Sequence, residues 1–198
     1  MRVTIFDYGA GNLHSLAKAI DQPETEVRLA VDPAAAVDTD VLILPGVGAF
    51  GPAAARLGAG RHVMRSALEG GLPCLGICLG MQLLFERSDE GPGLGLGLIP
   101  GRVQRIEARR APHIGWNTIE FSADPLFEAA RLEIAYFANG YVCRPESDAG
   151  VVAWTTHEQT RFPAAIRCGK TLGVQFHPEK SSAAGIRFVH AFLNGARA

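Results

Sequence analysis

The chain has 198 residues, 47% of them hydrophobic and 20% charged, an ordinary balance for a soluble globular protein with room for one domain over 1–198 and a full core. A formal net charge of -1 excludes any global pull toward nucleic acid or an anionic membrane. No apolar run nears the ~20 residues needed to span a bilayer, and Met1-Arg2 leads into a short apolar stretch closed by Asp7 rather than a signal peptide, so the cytoplasm is the expected address.

Taken in chain order, Val3 to Phe6, Val27 to Leu29 and Val41 to Leu44 are short apolar runs of the kind expected for buried parallel strands. Between the first two, Leu13 to Ile20 carries apolar residues at helical spacing, with Asn12 as a candidate N-cap. A fourth strand, Pro73 to Ile77, runs through Cys78 into a helix predicted over Leu79 to Glu86. Strand alternating with helix indicates an α/β fold with a parallel sheet. After Asp89 the glycine-rich stretch 91–97 reads as a flexible loop, lacking the Lys-Ser/Thr of a phosphate loop. Strands are then predicted over Val103 to Ile106, Thr118 to Phe121, Ile134 to Phe137, Val151 to Thr155, Ala164 to Arg167 and Thr171 to Gln175, with a last helix near Ala183 to Leu193. The locally basic stretch 105–110 suits a solvated surface or a small anion site.

The four cysteines, Cys74, Cys78, Cys143 and Cys168, form no C-x-x-C pair, which weakens a zinc or redox reading. Cys78 stands apart. Gly76-Ile77-Cys78-Leu79-Gly80 has the form of a nucleophile elbow, in which a buried strand meets a helix at a tight turn and glycines two residues either side leave room for it. The turn exposes the sulfur, places it at a helix N-terminus that favours a thiolate, and offers the Leu79 N–H as an oxyanion donor. A structural cysteine between packing glycines is the alternative that the motif alone leaves open.

Downstream, Gly173 to Glu179 places His177 and Glu179 just past a strand. A histidine beside a thiol can take its proton and later deliver one to a leaving group, and a carboxylate can fix the imidazole tautomer. Alone, His-Pro-Glu fits a solvated strand end equally well. The loop Leu44 to Pro52 follows the third strand. In a doubly wound sheet such loops line the ligand crevice, which places Gly46-Val47-Gly48 on the rim that holds Cys78. Its glycines let a backbone N–H turn toward a developing oxyanion.

Together, Pro73 to Glu86, Gly173 to Ser181 and Leu44 to Phe50 resemble the class I (triad) glutamine amidotransferases. The resemblance implies that family's flavodoxin-like α/β fold, a central largely parallel sheet flanked by helices with a smaller antiparallel part. It also implies hydrolysis of glutamine to glutamate and ammonia through a Cys78 thioester. Cys78 would be the nucleophile, His177 the base and acid, and Glu179 the orienting carboxylate. Asp7 to Leu13, Gly97 to Gly101 and Pro112 to Asn117 are similar to the glutaminase subunits of imidazole glycerol phosphate synthase, in histidine biosynthesis. That resemblance implies a heterodimer with a separate (β/α)8 cyclase subunit, which takes the ammonia to make imidazole glycerol phosphate and an aminoimidazole carboxamide ribotide. No metal or organic cofactor is expected.

By the same resemblance Gln82 helps hold the substrate's amino-acid end, Val47 and Gly48 match the loop that completes the oxyanion hole beside the Leu79 N–H, and Gly46, Gly140 and Tyr141 count among the residues that bind glutamine. Asn12, Trp116, Asn117, Tyr136 and Lys180 match segments that face the cyclase. One segment departs: where the family carries His, then Ser or Thr, then Tyr, this chain has Asn139-Gly140-Tyr141. Asn139 cannot transfer a proton, and Gly140 offers its backbone less rigidly. Three other readings are a glutaminase for a different acceptor synthase, a catalytically silent docking subunit, and a cysteine peptidase.

Overall fold

In the computed structural model residues 1–9, 13–46 and 48–197 are described. The first half builds β1 (Arg2–Phe6), α1 (His14–Ile20), β2 (Glu26–Ala30), α2 (Pro33–Ala36), β3 (Val41–Leu44), α3 (Phe50–Leu57), α4 (Arg61–Glu69), β4 (Cys74–Ile77) and α5 (Leu79–Gln82). The second half adds β5 (Arg87–Ser88), β6 (Gly101–Arg105), β7 (His113–Thr118), β8 (Phe121–Ser122), α6 (Pro125–Ala130), β9 (Ile134–Asn139), β10 (Tyr141–Pro145), β11 (Val151–His157), β12 (Thr160–Cys168), β13 (Thr171–Val174) and α7 (Ser182–Arg197). The central sheet has eight strands in the order β2-β1-β3-β4-β13-β12-β11-β8. Its first five strands pair in parallel and the remainder antiparallel, as expected for a doubly wound start and a more mixed end. Two smaller sheets, β10-β6-β5 and the antiparallel pair β7-β9, stand beside it.

Period-two alternation explains why the central strands read as unbroken apolar runs. Val41 and Ile43 of β3, with Leu75 and Ile77 of β4, enter one core together with Leu16 and Ile20 of α1, Phe127 of α6 and Phe188 and Phe192 of α7. Leu42, Leu44 and Cys74 point the other way, toward Ala54 and Leu57 of α3, Met64 and Leu68 of α4 and Met81 of α5. Each strand therefore feeds two cores, one on either face of the sheet.

Four features differ from the sequence reading. β2 is the edge strand rather than a buried one, and its Leu29 is 60% exposed. The helix after Cys78 stops at Gln82 instead of Glu86. The carbonyls of Leu83, Leu84 and Glu86 are taken by the N–H groups of Leu96, Leu98 and Gly95, so the helical ladder cannot continue. The same bonds fasten the glycine stretch 91–97 over α5 in place of a flexible loop, and a Cβ at Gly95 would lie 2.1 Å from the Phe85 carbonyl oxygen. The strand expected over Thr118 to Phe121 is interrupted at 119–120, its first residue closing β7 and its last opening β8. The N-cap expected at Asn12 lies outside the described residues, and α1 begins after Leu13.

Candidate active site

Cys78 sits where β4 hands over to α5, at φ 47° and ψ -101°, a conformation that costs an L residue about 1–3 kcal/mol. Its neighbours force the turn to stay tight. A Cβ on Gly80 would fall 2.0 Å from the Leu44 carbonyl oxygen, and one on Gly76 would fall 2.8 Å from the Gly80 carbonyl. The Cys78 N–H donates to the Val174 carbonyl at 2.7 Å, which ties the elbow to the end of β13. Leu79 supplies the first N–H of α5, a donor that no helical carbonyl can reach.

Beyond β13 the chain carries Gln175, Phe176 and His177 along the same rim. His177 is locked through its backbone: its N–H donates to the Tyr136 carbonyl (2.8 Å), its carbonyl accepts from Ser181 Oγ (2.7 Å), and Ser181 Oγ accepts from the Tyr136 N–H (2.9 Å). His177 Nδ1 meets Glu179 Oε1 at 2.8 Å, with both side chains buried. Burial alone would lower the His177 pKa. Hydrogen bonds to Cys78 and Glu179, together with their charges, outweigh burial and raise it from 6.5 to about 9. The imidazolium therefore persists at neutral pH, poised as the acid that a leaving amine requires. The folded state holds a proton that the unfolded chain releases near 6.5. The stability this contributes is complete below that pH and lost as pH rises through about 9.

Other thiols are unsuited to attack. Burial pushes the Cys74 thiol far up and, with the nearby Cys78 charge, the Cys143 thiol as well, so both stay protonated. Gly46 closes over the triad from β3: a Cβ there would lie 2.9 Å from His177 Cε1 and 3.0 Å from the Ile77 carbonyl oxygen. Gly48 adopts φ 110°, while Val47 lies outside the described residues. A buried amide network adjoins the sulfur. Gln175 Nε2 donates to Cys78 Sγ at 3.4 Å, and Gln82 Nε2 donates to Gln175 Oε1 (3.4 Å) and to the Tyr141 carbonyl (3.2 Å). Asn139 Nδ2 reaches that same carbonyl at 3.1 Å. The Gly140 carbonyl accepts from the Ile106 N–H, and a Cβ at Gly140 would meet nothing nearer than Pro112 at 3.7 Å. The sequence reading assigned no role to Gln175 or Ser181. A glutamine inside the apolar run Val174-Gln175-Phe176 was the available signal, because a polar residue at a core position needs partners.

Trp116 and Tyr136 face each other across the β7–β9 pair, their rings 6.1 Å apart and edge to face, with Trp116 55% exposed. Ile114 and Ile134 extend this exposed apolar face. Asn117 alternates to the other side of β7, where its Nδ2 donates to the Thr156 carbonyl. Lys180 is exposed next to Glu179, and Asn12 lies outside the described residues. A cavity of about 320 Å³, lined in part by Pro73, Leu126, Arg167 and Phe192, opens at the opposite end of β4 and is separated from the triad by the length of that strand. Among the described residues no cluster of three or more His, Cys, Asp or Glu could hold a metal ion, and no helix is long and apolar enough to cross a membrane.

A thiol on a strained elbow, an imidazolium beside it and a carboxylate behind that constitute the equipment for acyl transfer. The glutamine amidotransferase class-I family matches residues 4–194, and the chain belongs to that family. Within it, the chain is 45% identical to the imidazole glycerol phosphate synthase subunit HisH of Symbiobacterium thermophilum, over 95% of this chain and 91% of that one. It is 42% identical to the HisH subunit of Methanothermobacter thermautotrophicus, over 99% and 100%, and 41% identical to that of Synechococcus sp. (strain JA-3-3Ab), over 98% and 93%. A chain of the Thermotoga maritima PurLQS structure shares the fold with a TM-score of 0.74 at 20% identity, covering 98% of each chain.

Glu179→Gln is expected to lower turnover of glutamine about 10³–10⁴-fold, less than the ~10⁶-fold of His177→Ala, since a hydrogen-bonding group survives while the charge is lost. The pH profile should move with it, because Glu179 is one of the groups that raise the His177 pKa. Activity within tenfold of the parent, with an unshifted profile, would remove Glu179 from the mechanism.

Proposed function

We propose that this chain is the glutaminase subunit of imidazole glycerol phosphate synthase, acting as one amidotransferase domain in a heterodimer with a cyclase subunit, in the cytoplasm. The observation that carries the chemistry is the buried His177–Glu179 pair, Nδ1 to Oε1 at 2.8 Å, on the rim that holds the strained Cys78 elbow. The HisH identity of 40–45% over nearly the whole chain supports the choice of synthase.

In the proposed mechanism the Cys78 sulfur attacks the side-chain amide carbon of L-glutamine, and a C–S bond forms. The oxyanion is met by the Leu79 N–H and by a backbone N–H from the 46–48 loop. The C–N bond then breaks as His177 delivers its proton to nitrogen, releasing ammonia. Water, deprotonated by His177, opens the thioester to glutamate and returns the sulfur. Gln82 and the backbone at Gly140 and Tyr141 hold the amino-acid end. The exposed Trp116 and the Tyr136 ring against it form the face toward the cyclase, to which ammonia passes. Asn12 and Lys180 belong to the same proposed interface, while the Asn117 side chain turns to the opposite face of β7.

The glycines flanking Val47 let its peptide turn at low cost, so the second oxyanion donor can be supplied on demand. Ammonia release from glutamine is therefore expected to be slow for the chain alone. It should rise about 10²–10³-fold with the cyclase and its ribotide ligand, the effect of one oxyanion donor. Measuring the chain alone, with the cyclase, and with the cyclase plus its ribotide ligand tests both claims: no ammonia in any state would overturn the glutaminase, and equal rates in all three would overturn the coupling.

A further inference from the structure

Two consecutive residues at the end of β13 touch the nucleophile. The Val174 carbonyl holds the Cys78 N–H at 2.7 Å, and the Gln175 side-chain amide donates to Cys78 Sγ at 3.4 Å. Gln175 is fully buried, and its own N–H is anchored on the Ala164 carbonyl of β12 at 2.9 Å, so the side chain projects from a fixed backbone. Its oxygen is used as well, accepting from Gln82 Nε2 at 3.4 Å, and Gln82 in turn holds the Tyr141 carbonyl. An amide neither gains nor loses a proton at any working pH, so Gln175 cannot act as acid or base. What it offers is an oriented N–H toward the atom that carries negative charge before attack, and an oriented oxygen toward the side chain assigned to the substrate.

We infer that Gln175 is a positioning residue that aligns the Cys78 sulfur and the Gln82 amide as one unit, so that nucleophile and substrate end are set by a single side chain. The inference rests on the glutaminase reading of the site. A hydrogen bond to an ionised group is stronger than one between neutral groups, so the N–H favours the charged sulfur. That charge fades as the C–S bond forms and returns when water opens the thioester. The bond to Gln82 limits that side chain's rotation, a loss of freedom otherwise incurred on substrate binding.

The test uses Gln175→Leu and Gln175→Glu in the complex with the cyclase. Three quantities are read: kcat and KM for glutamine, the rate of Cys78 alkylation by chloroacetamide across pH, and the thermal midpoint. Gln175→Leu should slow alkylation at neutral pH about tenfold and displace the profile upward, as expected when a charged-group hydrogen bond worth about one pH unit is lost. Its KM should rise, since the Gln82 side chain then keeps only its bond to the Tyr141 carbonyl. Gln175→Glu keeps an acceptor for Gln82 and replaces the N–H donor, so KM should return toward the parent value while alkylation stays slow. Should neither variant fold, the unaltered protein supplies the measurement, because the Gln175 side-chain amide resonance should shift when Cys78 is alkylated. Superimposable alkylation profiles, or an unmoved resonance, would overturn the inference. Failure of the unaltered complex to release ammonia would instead overturn the glutaminase reading, and the alkylation comparison would still decide the role of Gln175.

Discussion

Cys78→Ala is expected to reduce ammonia release from glutamine by about 10⁶-fold, the scale on which removal of a triad nucleophile acts. Nothing nearby can substitute: Cys74 and Cys143 are held protonated by burial, and neither occupies the elbow. The fold should survive, because the backbone bond from Cys78 to Val174 that ties the elbow to β13 is retained by Ala. Relief of unfavourable dihedrals is not expected either, since Ala shares the L-residue penalty at φ 47°. With free ammonia supplied, the proposed cyclase reaction should continue. A glutamine analogue bearing an electrophile in place of the amide should label the parent once, at Cys78, and leave the variant unlabelled. Hydrolysis persisting in folded Cys78→Ala protein, or labelling chiefly on another cysteine, would sink the assignment.

Gly80→Ala should produce a large loss of stability from a single methyl group. The added carbon would sit 2.0 Å from the Leu44 carbonyl oxygen and 2.6 Å from its carbon, and both belong to backbone in the middle of the sheet. No rotamer relieves such a clash, so β3 and α5 must separate. A cost of about 3–5 kcal/mol is expected, at the upper end for point substitutions. For a chain of this size that corresponds to a fall in thermal midpoint on the order of 10 °C. Calorimetry decides it, with Gly195→Ala, where a Cβ meets nothing within 4 Å, as the control. A shift below about 3 °C would mean that the elbow can open without cost.

Both effects follow from a motif legible in the sequence itself. Gly76 and Gly80 are close-approach glycines, and a pattern of residue types reports that kind of constraint directly. The parallel strands β1, β3 and β4 were legible because burial on both faces leaves almost no polar position in the run, Thr4 of β1 being the exception. Other elements were hidden for reasons that lie in the sequence itself. The first turn of α3, Phe50-Gly51-Pro52, carries residues that usually mark loops. Both α2 and α6 open on Asp-Pro, Asp32-Pro33 and Asp124-Pro125, where the carboxylate caps the first turn and proline takes the first helical position. That signal was present, but the helices it starts are too short to show a period. The early end of α5 was not legible locally, since the loop that takes its carbonyls arrives from residues 95–98. Gln175 was hidden by its position: two residues before a recognisable histidine, it read as part of the motif's frame.

The seat of β13 between β4 and β12 bears on how the protein comes to exist as well as how it works. A strand from residues 171–174 fills a central slot between one neighbour nearly a hundred positions earlier in the chain and another adjacent in sequence. During synthesis the slot stays open until those residues leave the ribosome, and closing it carries the loop-entropy cost of a long-range pairing. The nucleophile and its imidazole arrive on opposite sides of that closure, Cys78 with β4 and His177 with β13. A chain in which β13 has not yet paired with β4 thus holds Cys78 without His177 beside it, and the proposed glutaminase chemistry must await that pairing.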